Sequence, residues 1–169
     1  VPTAVKHGVT LLVENSGDLT RSEDLWYLID AVSHPSIQGC WNQVNAMTRK
    51  EAATVSIPRL GVRIGMLHVG DADYDADGLL QSYKLPGQGH TQVARQIELL
   101  KGMVHNGYLM FEQPKAWIPS LSEPEVALPA VATFLKAQLA AKQAVLSAYK
   151  GDKNPAKFAA QRPAATLRS

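Results

Sequence analysis

One cysteine, Cys40, stands in 169 residues, so no disulfide can close within the chain and the redox compartment is left open. No apolar run approaches the roughly 18–20 residues that cross a bilayer, so no membrane partner is expected. Charge of one sign is scarce as well: 17 Lys and Arg against 15 Asp and Glu leave a net +2. That balance excludes a strongly basic surface, and no nucleic-acid partner is expected. No signal peptide is visible and no methionine opens the chain, which begins at Val1. Further sequence is therefore expected upstream, any targeting segment would lie there, and the compartment stays open, with the cytoplasm favoured.

What is present is ordinary globular composition, 46% hydrophobic and 19% charged, in a length suited to one domain with a real core. Val1 to Gly8 reads as the last turns of a helix closed by glycine. Val9 to Val13 is an apolar strand stopped by Glu14-Asn-Ser-Gly17, and Ser22-Glu-Asp-Leu25 opens a capped helix with Leu25, Leu28, Ile29 and Val32 as its buried stripe. Further strands are expected at Ile37 to Trp41, Val62 to Val69 and Tyr108 to Phe111. A weak helix over Ala52 to Leu60, strained by Pro58, an amphipathic helix over Thr91 to Val104, and a last helix over Pro124 to Tyr149, broken at Pro129, fill the intervals. Residues between the second strand and Asn45, and from Asp71 to Pro86, read as loops.

Strands that alternate with helices and are nearly continuously apolar argue for a parallel α/β sheet covered by helices. About four such βα units make half of a (β/α)₈ TIM barrel. The alternative, an open doubly wound sheet, lacks its glycine-rich phosphate fingerprint after the first strand. The expected organisation is a half barrel over residues 1–150 and an extended or disordered tail over 151–169.

The chemistry sits where the strands stop. The four runs end at Glu14, Asn42, His68 and Glu112, and each is a residue type able to coordinate a metal. A polar residue at one strand end is commonly structural; an ordered set on one barrel rim is less easily accidental. Mostly oxygen with one imidazole suits Mn²⁺, Mg²⁺ or Co²⁺ better than a thiolate-preferring ion. Cys40 shares the face of Asn42 and reads as a small buried apolar residue, and Trp41 as a packing residue. Trp117, in the loop from Gln113 to Glu123, is placed either over a substrate or against the rim. His90 and His105 read as surface residues. Asp73, Asp75 and Asp77 lack the later glutamate of a calcium loop and read as solvated.

The segments Leu12-Val-Glu-Asn15, Gly39-Cys-Trp-Asn-Gln-Val-Asn45, Leu67-His-Val-Gly-Asp71, Leu85-Pro-Gly-Gln-Gly89 and Gly107-Tyr-Leu-Met-Phe-Glu112 resemble the last four strand-end motifs of the xylose-isomerase-like sugar-phosphate isomerase/epimerase family. The resemblance covers residues 9 to 139. It implies one divalent metal held by Glu14, Asn42, His68 and Glu112, with Glu14 and Glu112 doubling as acid/base groups. It also implies positions near the substrate for Asn45 and Asp71, the latter orienting His68 or a sugar hydroxyl or else standing as an exposed loop carboxylate. Asn42 departs from the family's usual aspartate and removes a charge. The implied activity is isomerisation or epimerisation of a keto sugar or its phosphate. The alternatives are an inosose-type dehydratase and a non-catalytic sugar-binding or assembly module. A related endonuclease activity is disfavoured, for want of further metal ligands and a basic groove. A half barrel also implies a partner, whether upstream chain, another subunit or a second copy.

Overall fold

The computed structural model describes residues 1–151. The tail expected over 151–169 lies, from residue 152 onward, outside the described residues. In chain order the elements are α1 (Pro2–Lys6), β1 (Leu11–Glu14), α2 (Ser22–Val32), β2 (Ile37–Asn42), α3 (Gln43–Met47), α4 (Ala53–Leu60), β3 (Ile64–Val69), β4 (Asp71–Tyr74), β5 (Leu80–Lys84), α5 (Val93–Gly102), β6 (Tyr108–Phe111) and α6 (Pro124–Gly151).

Strands β1, β2, β3 and β6 form one sheet in that order, every neighbouring pair parallel. Alternation along each strand sends successive side chains to opposite faces. On one face Trp41, Leu67 and Val69, each at most 1% exposed, pack with Leu25 and Ile29 of α2, Ile57 and Leu60 of α4, and Ile97 and Leu100 of α5. Each such buried side chain stabilises the fold by about 1.5–3 kcal/mol. Helices α2, α4, α5 and α6 lie side by side over this face. Asn42 and His68, one residue on from Trp41 and Leu67, therefore turn to the other face.

That other face is covered unevenly. Leu12 is 36% and Met110 42% exposed, and the sheet ends at β1 and β6, where Leu11 and Tyr108 are also exposed. Parallel βα units with all their helices on one side constitute part of a (β/α)₈ barrel, as the strand–helix alternation implied.

Four local expectations change. The loop expected from Asp71 to Pro86 contains a two-stranded antiparallel hairpin, β4–β5, separate from the main sheet. The loop expected after β2 is the short helix α3, capped by the Asn42 side chain, whose Oδ1 accepts from the Val44 N–H at 3.1 Å. Pro129 does not break α6, which runs through it. The hydroxyl of Ser22, for its part, does not cap α2: it accepts from Arg59. The cap comes from Glu51, whose carboxylate accepts from the Ser22 N–H and from Ser56 Oγ. A buried carboxylate at a helix N-terminus is favoured by the unpaired N–H groups and the helix dipole.

Candidate active site

Parallel register brings the strand ends to one rim. Glu14 pairs with Cys40, Asn42 with His68, and the Glu112 N–H donates to the carbonyl of Val69 just past the end of β6. Glu14, Asn42, His68 and Glu112 thus meet, though the first and the last stand 98 positions apart in the chain. His68 Nδ1 lies 3.2 Å from Glu14 Oε1 and 3.1 Å from Glu112 Oε2. The three side chains offer donor atoms all within 4.8 Å of one another. In an octahedron with bonds of about 2.1 Å, neighbouring ligand atoms stand about 3 Å apart, so these three donors fit a small hard cation.

Asn42 is differently disposed. Because its Oδ1 is committed to the Val44 N–H, its amide nitrogen faces the centre. Nδ2 donates to Glu14 Oε1 at 2.9 Å and to Glu112 Oε2 at 2.8 Å. An amide NH₂ has no lone pair to offer an ion. The expected fourth ligand therefore does not fit in this arrangement.

Glu14, Asn42 and Glu112 line a cleft of about 100 Å³ together with Asn45, Val44, Gly70, Tyr83 and Pro114. Asn45 lines it, with its Nδ2 donating to the Asn15 carbonyl at 2.9 Å. Two larger clefts, about 370 Å³ each, lie around His105 at the opposite, amino-terminal ends of the strands. In barrels of this type chemistry belongs to the carboxy-terminal face and the opposite face to stability, so the smaller cleft is the candidate site.

Asp71 is a correction. The sequence placed it at the substrate, or else in solvent, but it is 1% exposed and turned into its own loop. Its Oδ1 accepts from the N–H groups of Ala72 and Thr91, and its Oδ2 from those of Gly87 and Gly89. Every lone pair facing that loop is occupied, which leaves nothing for a sugar hydroxyl or for His68. This explains the Leu-Pro-Gly-Gln-Gly motif physically. Gly87 adopts φ +89°, and a Cβ on Gly89 would stand 2.5 Å from Asp71 Oδ1.

Other residues divide similarly. Trp41 is fully buried and donates to Gln43 Oε1, a packing role as expected. Trp117 is 83% exposed. His90 is exposed and pairs with Asp73 at 2.8 Å. His105, expected at the surface, is half-buried, and its Nε2 is the buried side-chain atom without a partner among the described residues. Asp75 accepts from the N–H groups of Asp77 and Leu79, tying the hairpin turn rather than a calcium ion. Burial, and then the nearby charges of Glu14 and Glu112, push the Cys40 thiol up to about 12.

Two residues escaped sequence reasoning. Asn15, fully buried beside Glu14, binds the backbone of Asn42 from both sides, and its only signal was adjacency to Glu14. Tyr83, carried by β5, enters the cleft with no signal at all; burial, then the charge of Glu112, raises its phenol above its usual value.

The profile of the xylose isomerase-like TIM barrel family matches residues 1–138. The chain belongs to this family. Among solved structures, it is similar to a xylose isomerase domain protein from Planctomyces limnophilus at 15% identity and TM-score 0.62, covering 81% of this chain and 47% of that one. An L-ribulose 3-epimerase matches at 16% identity and TM-score 0.71, over 91% of this chain and 55% of that one. A D-psicose 3-epimerase from Clostridium cellulolyticum H10, solved with D-tagatose, matches at 15% identity and TM-score 0.62, over 81% and 50%. The chain thus spans about half the length of these structures, and at such identities the likeness is one of fold. No curated protein sequence matches it. Among the described residues, no helix of this xylose isomerase-like barrel chain is long and apolar enough to cross a membrane.

Proposed function

We propose that this chain carries the proton-transfer half of a divalent-metal-dependent sugar isomerase or epimerase. The observation behind the reading is the convergence of two carboxylates and one imidazole within 4.8 Å on the barrel's catalytic rim. Glu14, His68 and Glu112 would hold the ion, with Mn²⁺, Mg²⁺ or Co²⁺ matching their chemistry. Once bound, it would supply positive charge beside the substrate's carbonyl and hydroxyl oxygens.

The chain's own residues do the rest. One glutamate takes the proton from the carbon beside the carbonyl, and the electron pair moves onto the carbonyl oxygen to give an enediolate. The other glutamate, in its acid form, returns a proton to the opposite face of that carbon and the carbonyl re-forms. If it protonates the neighbouring carbon instead, the hydroxyl proton passes to the first oxygen and the carbonyl forms at the carbon that lost its proton. Asn45 and Tyr83 offer polar groups to sugar hydroxyls at the cleft wall. A keto sugar or its phosphate is the substrate class, in keeping with the fold's 3-epimerase neighbours.

The exposed inner face and the edges of β1 and β6 support a second element of the proposal. Residues 1–150 act as one half of a barrel that upstream chain, another subunit or a second copy completes. A well-behaved monomer of this chain by size exclusion, with no partner present, would count against that. The main test is the metal content of the purified protein, followed by exchange of substrate carbon-bound hydrogen in D₂O across a panel of ketoses and their phosphates. Metal together with exchange supports the enzyme; metal or sugar binding without exchange at any substrate overturns it. The second outcome favours a non-catalytic sugar-binding module, a reading supported by the inward amide nitrogen of Asn42.

A further inference from the structure

We propose that Asn42 is a positioning residue and not a metal ligand: its amide bridges Glu14 and Glu112, and a divalent ion bound there would be held by three protein groups. The inference rests on the metal-site reading above and concerns what the departure at position 42 does to it.

The orientation of the amide is fixed by chemistry. A backbone N–H can only donate, so the atom of Asn42 that meets the Val44 N–H at 3.1 Å must be the carbonyl oxygen. The NH₂ is then the group left to face inward, and each of its hydrogens finds a different carboxylate, at 2.9 Å and 2.8 Å. The backbone of Asn42 is held as well, since Asn15 Oδ1 accepts from its N–H at 2.6 Å and Asn15 Nδ2 donates to its carbonyl at 2.9 Å. Residue 42 is 6% exposed, which leaves little room to swing. Turning the amide over to coordinate an ion would break the cap of α3 and face NH₂ against the Val44 N–H.

The bridge does by hydrogen bonding part of what a cation does by charge. It lets the two carboxylates and His68 sit close together. An aspartate at this position could keep the Val44 bond with one oxygen and offer the other to the ion. In the empty site, however, it would place a third carboxylate between two others.

The test compares the wild-type chain with Asn42→Asp in two independent measurements. Without metal and with chelator present, Asn42→Asp should melt below wild type, because like charges replace two hydrogen bonds; an equal or higher melting temperature overturns the bridge. With Mn²⁺, calorimetry should show tightening on the order of tenfold or more in Asn42→Asp, since ligand charge count sets affinity in oxygen-rich sites. Water-proton relaxation by the bound Mn²⁺ should also show one fewer exchangeable water in the variant. Equal affinity and equal relaxation overturn the three-ligand assignment. Absence of Mn²⁺ binding to either protein overturns both the metal reading and that assignment, and the melting comparison still decides the bridge.

Discussion

Asn15 holds Asn42 by both backbone groups at once, accepting from its N–H at 2.6 Å and donating to its carbonyl at 2.9 Å. The side chain thus replaces, at the mouth of the sheet, the strand pairing that β1 can no longer supply beyond Glu14. It also bonds the Thr20 carbonyl, so one buried amide ties together β1, β2 and the entry to α2.

Asn15→Ala should therefore destabilise the chain by about 3 kcal/mol, because buried polar groups left without partners cost about 1–3 kcal/mol each. Urea unfolding at fixed pH measures it. A change under about 0.5 kcal/mol, the range of an ordinary surface substitution, would remove Asn15 from this role.

Glu14→Gln and Glu112→Gln each keep side-chain volume but lose the acid/base group. Under the proposed mechanism each should lower hydrogen exchange from a substrate ketose by roughly 10²- to 10⁴-fold, the usual contribution of a positioned proton-transfer group. A variant retaining exchange within a few-fold of wild type would exclude that glutamate as a proton carrier.

Asp71→Asn puts an NH₂ where two backbone N–H groups point. The expected loss is about 2–3 kcal/mol, with the loop around Gly87 and Gly89 becoming the first site of proteolytic cleavage. Unchanged stability together with impaired sugar binding would return Asp71 to the substrate.

His105 supplies a pH dependence. Burial lowers its pKa below the ordinary 6.5, so the folded chain keeps it neutral where the unfolded chain is already protonated. Between its folded value and 6.5 the unfolded state binds more protons, and stability falls as pH drops through that window. The contribution is fully present above 6.5 and lost below the folded value. Urea midpoints measured from pH 7.5 down to pH 5 should fall less steeply for His105→Gln than for wild type; parallel slopes would refute the assignment.

The main sheet was legible because its strands are apolar runs of strand length, and their ends stood out as polar stops at Glu14, Asn42, His68 and Glu112. Parallel register did the rest, since in-phase strands put their last residues on one rim. The hairpin β4–β5 was not legible. Asp71-Ala-Asp-Tyr carries acidic residues at alternate positions, which are poor strand formers, and its pairing depends on tertiary bonds such as Tyr74 Oη to the Val44 carbonyl. Asp71 was misread for a related reason. A carboxylate beside a histidine in sequence suggests a shared site, whereas three of its four partners are amide groups 16 to 20 residues away that only the folded loop delivers. The nitrogen-inward pose of Asn42 likewise follows from a helix cap that sequence periodicity did not reveal.

The Asp71 clamp also divides the rim into a frame and a fingertip. The strand ends that carry Glu14, His68 and Glu112 belong to the main sheet, whereas Tyr83 rides on a hairpin anchored at its base by Asp71 and pairing only with itself. Its turn, residues 75–79, joins only the two strands of that separate sheet. Tyr83 pairs with Ala72 near that base, so exchanging it would change one wall of the cleft while leaving Glu14, His68 and Glu112 in place, and it is the position to vary when redirecting the site toward a differently shaped sugar.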